Sequence, residues 1–152
     1  MDRRSVLGSA LVVGIVGSAA YPAQGQIDQT TLVVELSGLN ELQGQICLNL
    51  FASSAGFPSD RDDALRTQCV MPTVEPAPLA IFDDLVPGSY AVSVFHDANG
   101  DNEFNRNFVG MPEEGFGFSR NPEARTGPPE FGDAVVLVAG AETRIEIELS
   151  YF

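Results

Sequence analysis

Apolar and polar residues alternate in run after run of this chain. Residues 31–39 (TLVVELSGL) place Leu32, Val34 and Leu36 on one face, and residues 45–52 (QICLNLFA) do the same with Ile46, Leu48 and Leu50. In residues 88–95 (GSYAVSVF), Tyr90, Val92 and Val94 oppose Ala91, Ser93 and Phe95, and in residues 143–151 (TRIEIELSY), Ile145, Ile147 and Leu149 alternate with charged neighbours. A strand turns successive side chains to opposite faces, whereas a helix brings its apolar positions together every three or four residues. A period of two therefore commits these runs to strands. Shorter candidates at 67–74, 79–85 and 134–138 are bounded by proline, glycine or polar turns. The pattern predicts an all-β fold, a single antiparallel β-sandwich of about seven strands with Greek-key connections and one long ordered loop. Helical signal is confined to residues 59–68 (SDRDDALRTQ), where Ser59 or Asp60 can cap a short turn; a polar surface loop is the alternative.

Residues 1–25 are read apart from this fold. Arg3 and Arg4 precede a small, apolar run (VLGSALVVGIVGSAA), and Ala23 and Gly25 suit a cleavage site before Gln26. That is the form of a cleaved export signal, with a retained N-terminal anchor as the alternative. The run falls short of the roughly 18 apolar residues of a membrane span. The paired arginines form an incomplete twin-arginine pattern, and the general secretory route fits as well. The expected product is a periplasmic or extracellular domain of residues 26–152, a size that suits one core. Without the leader it carries six basic and twenty acidic residues, a net charge of −14, and every basic side chain is an arginine. Such a surface repels phosphate backbones and anionic lipid, so nucleic acid and membrane insertion are not expected, and the partner sought is an envelope or extracellular one.

Cys47 and Cys69 are the only cysteines, 22 residues apart. In an exported chain an even pair points to a disulfide, which would stabilise by ~3 kcal/mol; two separate buried thiols are the alternative. Neither lies in a CxxC pair, which argues against a redox dithiol or a zinc knuckle.

Residues 97–133 are irregular and rich in Gly, Pro, Asn and Glu. A loop of that length in a small domain is usually functional. It opens with FHDANGDNEFN at 95–105. Counting Asp97 as position one of a calcium loop, Asn99 and Asp101 fall at three and five, the backbone of Glu103 at seven and Asn105 at nine. Asn102 stands at the sharp-turn position usually held by glycine, and tolerates left-handed geometry. Position twelve, where a bidentate glutamate belongs, is Phe108. Glu113, Glu114, Asp83 or Asp84 would have to complete the shell, for a weak site with Kd of about 10⁻⁴–10⁻³ M. Ca²⁺ is the one cofactor these residues point to. The alternative is a metal-free turn around Asn99 and Gly100, in which Asp and Asn side chains bond their own backbone.

His96 is the chain's single histidine, so a His-rich zinc site is excluded. Ser93 and His96 are three apart on a strand, hence on opposite faces, and no GxSxG elbow is present; a Ser-His-Asp triad is not supported. His96 is expected to be structural, and with Gly100, Asn102, Glu114, Gly115 and Gly117 to shape the loop. The GFGFS stretch at 115–119 lacks the lysine and following helix of a phosphate loop, and its phenylalanines are expected to pin the loop to the sandwich.

The blocks LVPGSYAVSVFHDANGD, VGMPEEGFGFSRN and GPPEFGDA, with QICLNLF and GFP earlier, resemble exported bacterial proteins of domain-of-unknown-function family 2141. The family's usual loop runs His-Asp-x-Asn-x-Asn-Gly-x-x-Asp. Here His96, Asp97 and Asn99 match, while Asp101, Asn102 and Asn105 replace its Asn, Gly and Asp. The resemblance implies fold and export more than activity. The LVPGSY turn is also similar to transthyretin-like and carboxypeptidase-regulatory sandwiches. The expected function is a non-enzymatic binding or envelope-associated module. A calcium-stabilised purely structural domain and a small hydrolase or isomerase using His96 are the alternatives.

Overall fold

The computed structural model describes residues 28–123 and 126–152; the export signal expected over residues 1–25 lies outside them. β1 (Thr30–Ser37) is the centre of a three-stranded sheet, flanked by β4 (Leu79–Leu85) and β8 (Glu142–Glu148). The second sheet runs β3 (Arg66–Val70), β2 (Gln45–Phe51), β5 (Gly88–Asp97), β6 (Phe116–Phe118), and β7 (Val136–Val138) pairs with the first residues of β5. Strands that pair are mostly non-consecutive, β1 with β4 and β8 and β2 with β5, which is the crossing connectivity of a Greek-key type sandwich. The described strands number eight, and all pairs are antiparallel except β1 with β8, which is parallel in unbroken register from Thr31↔Glu142 to Ser37↔Glu148.

The alternating runs face as their period dictates. Leu32, Val34 and Leu36 of β1, Ile46, Leu48 and Leu50 of β2, and Tyr90, Val92 and Val94 of β5 close one buried cluster with Phe82 and Ile147. At about 25 cal/mol per Å² of apolar area, each of these side chains contributes ~1.5–3 kcal/mol, and together they hold the sheets face to face.

The opposite face of the second sheet is covered as well. Ala91, Phe116, Phe118 and Ala134 form a second cluster, joined by Phe57, Phe104 and Phe131. Phe57 meets Phe51 at 5.4 Å and Phe131 at 5.8 Å, both edge-on, the geometry that ring quadrupoles favour. β5 is consequently buried on both faces from Tyr90 to Asp97. The GFGFS segment is itself a strand: Phe116 and Phe118 pair with Phe95 and Ser93 and turn their rings onto this outer face.

Cys47 and Cys69 stand directly opposite each other on β2 and β3 and form the disulfide. Residues 59–68 divide into a 3-10 turn (Arg61–Asp63), capped by Asp60 Oδ1 accepting from the Asp62 amide at 3.0 Å, and then β3. Among the described residues no helix is long and apolar enough to cross a membrane.

Candidate functional site

β5 delivers His96 and Asp97 to one end of the sandwich, where the chain leaves the sheet. Asp97 is fully buried. Its Oδ1 accepts from the amides of Gly100 (2.8 Å) and Asp101 (3.1 Å), and its Oδ2 from the Asn102 amide and Gln45 Nε2 (both 3.0 Å). One carboxylate thus gathers three successive amides that have no sheet partner. The curl this requires passes through left-handed backbone at Gly100 (φ 77°) and Asn102 (φ 63°), conformations that glycine and asparagine accept most readily.

Asp101 is the second centre. Its Oδ2 accepts from Asn99 Nδ2 (2.9 Å) and Asn105 Nδ2 (3.1 Å), and its Oδ1 from the Glu103 amide (2.8 Å). These bonds, the Glu103 amide first, hold its carboxyl below the usual carboxylate range. The chain then makes a tight excursion, in which Asn107 Oδ1 accepts from the amides of Val109 and Met111 and an isolated bridge joins Arg106 to Pro112. That return sets the Glu113 amide on Asn105 O (3.0 Å) and the Asn105 amide on Glu114 Oε2 (3.1 Å). Glu114 comes to rest beside the curl.

Asp97, Asp101 and Glu114 therefore converge, each offering an oxygen within 4.8 Å of the others. Glu114 is only 7% exposed, and its Oε1 has no hydrogen-bond partner among the described residues. Burial chiefly, with the nearby charges of Asp97 and Asp101, pushes its carboxyl up; the amides of Asn105 and Ala98 pull the other way. Oxygens bound to one Ca²⁺ at about 2.3–2.6 Å lie no more than about 5.2 Å apart, so the three carboxylates are spaced as a shared cation requires. The bond an ion could replace at least cost is that from Gln45, which also donates to Asn102 Oδ1 at 2.9 Å.

Of the four carboxylates expected to complete a shell, the fold brings Glu114 to Asp97 and Asp101. Glu113 remains exposed at the rim, and Asp83 and Asp84 are exposed on β4, where Asp83 pairs with Arg66 at 3.4 Å. Asn99 and Asn105 belong to the network through Asp101, and Asn99 Nδ2 also donates to Asn105 Oδ1 at 3.0 Å. Phe108, at the position where the bidentate ligand was missing, points wholly into solvent at the tip of the excursion.

His96 is fully buried beneath this loop. Its Nε2 faces Gln43 O at 2.7 Å, so Nε2 carries the proton, and Nδ1 accepts from the Tyr151 hydroxyl at 2.8 Å. With both nitrogens engaged, the ring braces the loop base between the β1–β2 connection and the C-terminus. Gly115 lies against the Tyr151 ring and Gly117 within 2.7 Å of Ile147 Cγ2 as a Cβ would meet it; neither position has room for a side chain. Tyr151 and Gln45 are the two site residues that the sequence reading did not single out, since nothing near them in the chain carries a motif.

A two-sheet, all-β sandwich with an acidic loop at one end is the class this fold and site define. The family model described as "Uncharacterized protein conserved in bacteria (DUF2141)" matches residues 34–146, and the chain belongs to that family. Comparison with curated proteins and with solved structures gave no match.

Proposed function

We propose that this chain is an exported, non-enzymatic binding module in which residues 97–114 form a weak calcium site that fixes one end of the sandwich. The observation that carries the reading is Glu114 Oε1, a buried carboxylate oxygen with no partner among the described residues, close to two further carboxylates. Burying such an oxygen costs free energy, and three converging carboxylates raise that cost unless a cation is shared. Calcium fits better than magnesium, which demands a tighter octahedron and keeps its waters. The non-enzymatic part is supported by His96, whose ring has no nitrogen left to exchange a proton with a substrate. Export is supported by the leader-like N-terminus and by the disulfide, a bond that persists in oxidising compartments.

A thermal unfolding curve in 10 mM calcium chloride against the same protein in chelator tests the site. With Kd near 10⁻⁴ M the midpoint is expected to rise by roughly 10 °C, and magnesium to give a smaller rise. An unchanged midpoint removes the calcium reading.

A further inference from the structure

Beside the acidic loop, the outer face of the second sheet carries an open cleft of about 410 Å³. One rim is the 3-10 turn with Asp60, Arg61 and Asp62; the other is the loop segment from Asn102 to Arg106. Its floor is set by cross-strand register: Asn49 lies opposite Ser93, and Ser93 opposite Phe118, while Phe95 opposite Phe116 forms the next row. A buried polar pair thus interrupts an otherwise aromatic face.

The pair is unevenly satisfied. Ser93 Oγ donates to Pro58 O at 2.7 Å. Asn49 is 3% exposed and its Oδ1 accepts from Thr67 Oγ1 at 3.0 Å; its Nδ2, with no partner among the described residues, is not sealed in the core, and Asn49 lines the cleft. Exchanging the amide's oxygen and nitrogen leaves one end free all the same. At the rims, Arg61 spends one donor on Asn102 O (3.2 Å) and Arg106 one on Gly110 O (3.1 Å), while Arg106 lies over the Phe104 ring at 4.9 Å. A guanidinium has five donors, so most of both groups' capacity is open.

We infer that this cleft binds a neutral, polyhydroxylated ring, such as a pyranose unit of an oligosaccharide. Donors and acceptors alternate along its walls: Arg61, Arg106 and Asn49 can give hydrogen bonds, and Asp60, Asp62 and Glu103 can take them. A hydroxyl needs both roles at once. An organic anion would meet the two arginines but also three carboxylates on a chain of net charge −13, so the rim disfavours it. The apolar C–H face of a sugar ring matches the half-buried Phe104 ring on the loop rim. The volume is within the roughly 300–1,000 Å³ of small-molecule sites. The inference stands on the sheet face and does not rest on calcium.

Isothermal titration of the full mature chain, with calcium and again with chelator, against α- and β-linked glucan hexamers, chitohexaose and mannohexaose tests it, with benzoate as the anionic control. Saturable binding of at least one neutral saccharide is expected in either buffer. Asn49→Ala and Phe104→Ala are each expected to weaken it about tenfold or more, and Phe108→Ala, at the exposed tip, by less than about twofold. Phe104→Ala, on the loop rim, keeps the test open should Asn49→Ala fail to fold. No binding by any saccharide, binding of benzoate alone, or binding untouched by both cleft variants overturns the assignment.

Discussion

The Asn105 amide donates to Glu114 Oε2 at 3.1 Å, and this contact brings a carboxylate from beyond a seven-residue excursion back to the Asp97–Asp101 curl. Only one oxygen of Glu114 is satisfied by it; the other is buried with no partner among the described residues.

Replacing that carboxylate by an amide separates the calcium-free from the calcium-bound state. Burial and the two aspartates raise the Glu114 carboxyl above its ordinary range, so the fold prefers it protonated. Its contribution to stability is fully present at pH below the unfolded value and is lost as pH rises through the folded value. In chelator at neutral pH, Glu114→Gln is expected to be more stable than the parent by about 1 kcal/mol, roughly 4 °C. The gap should close below about pH 4, where the parent is protonated in both states. In calcium the order should reverse, because the amide supplies a poorer ligand. Midpoints measured across pH in both buffers check all three statements, and a variant that keeps the full calcium shift contradicts the site.

Asp97 is held differently. It is buried, and its two oxygens accept four hydrogen bonds. Asp97→Asn turns one acceptor into a donor facing the Asn102 amide and Gln45. The expected loss is ~2–4 kcal/mol in chelator and larger in calcium, where a ligand carboxylate is lost as well, read as a lower denaturant midpoint at unchanged slope.

Much of this was legible in the chain and some was not, for identifiable reasons. The inward faces of β1, β2 and β5 follow from period two, and the disulfide from an even cysteine pair on neighbouring runs. Asn102 in left-handed backbone follows from its place in the curl. The parallel partnership of β1 with β8 leaves no local mark, since side-chain alternation is blind to strand direction. β6 escaped because Phe116-Gly117-Phe118 is too short to show a period, and its glycine is demanded by Ile147 across the sandwich. Glu114 was one of four possible ligands, and the excursion that selects it is held by Asn107, which no loop spacing would indicate.

The Cys47–Cys69 bond joins adjacent strands already in register, so its stabilisation comes from restricting the unfolded chain. Closing a loop of that separation contributes ~3 kcal/mol in the entropy model. Cys47→Ala/Cys69→Ala is expected to lower the midpoint by roughly 10 °C while leaving the calcium shift intact, because the bridge and the acidic loop share no residue. Parallel melts of the two proteins in calcium and chelator give both numbers.

Tyr151 ties the C-terminus to the base of the loop through His96. Its hydroxyl donates to Nδ1, while Nε2 donates to Gln43 O, so both ring nitrogens are engaged. Tyr151→Phe keeps the ring against Gly115 but leaves Nδ1 as a buried acceptor without a donor, at an expected cost of ~1–2 kcal/mol near pH 7. Burial also raises the Tyr151 hydroxyl above its ordinary range, so the parent's stability falls as pH rises through that folded value, whereas the phenylalanine variant has nothing there to ionise. The midpoint difference between the two proteins should therefore shrink in strongly alkaline solution. A difference that is constant with pH would mean that the hydroxyl ionises alike in the folded and unfolded chain, and that burial does not raise it.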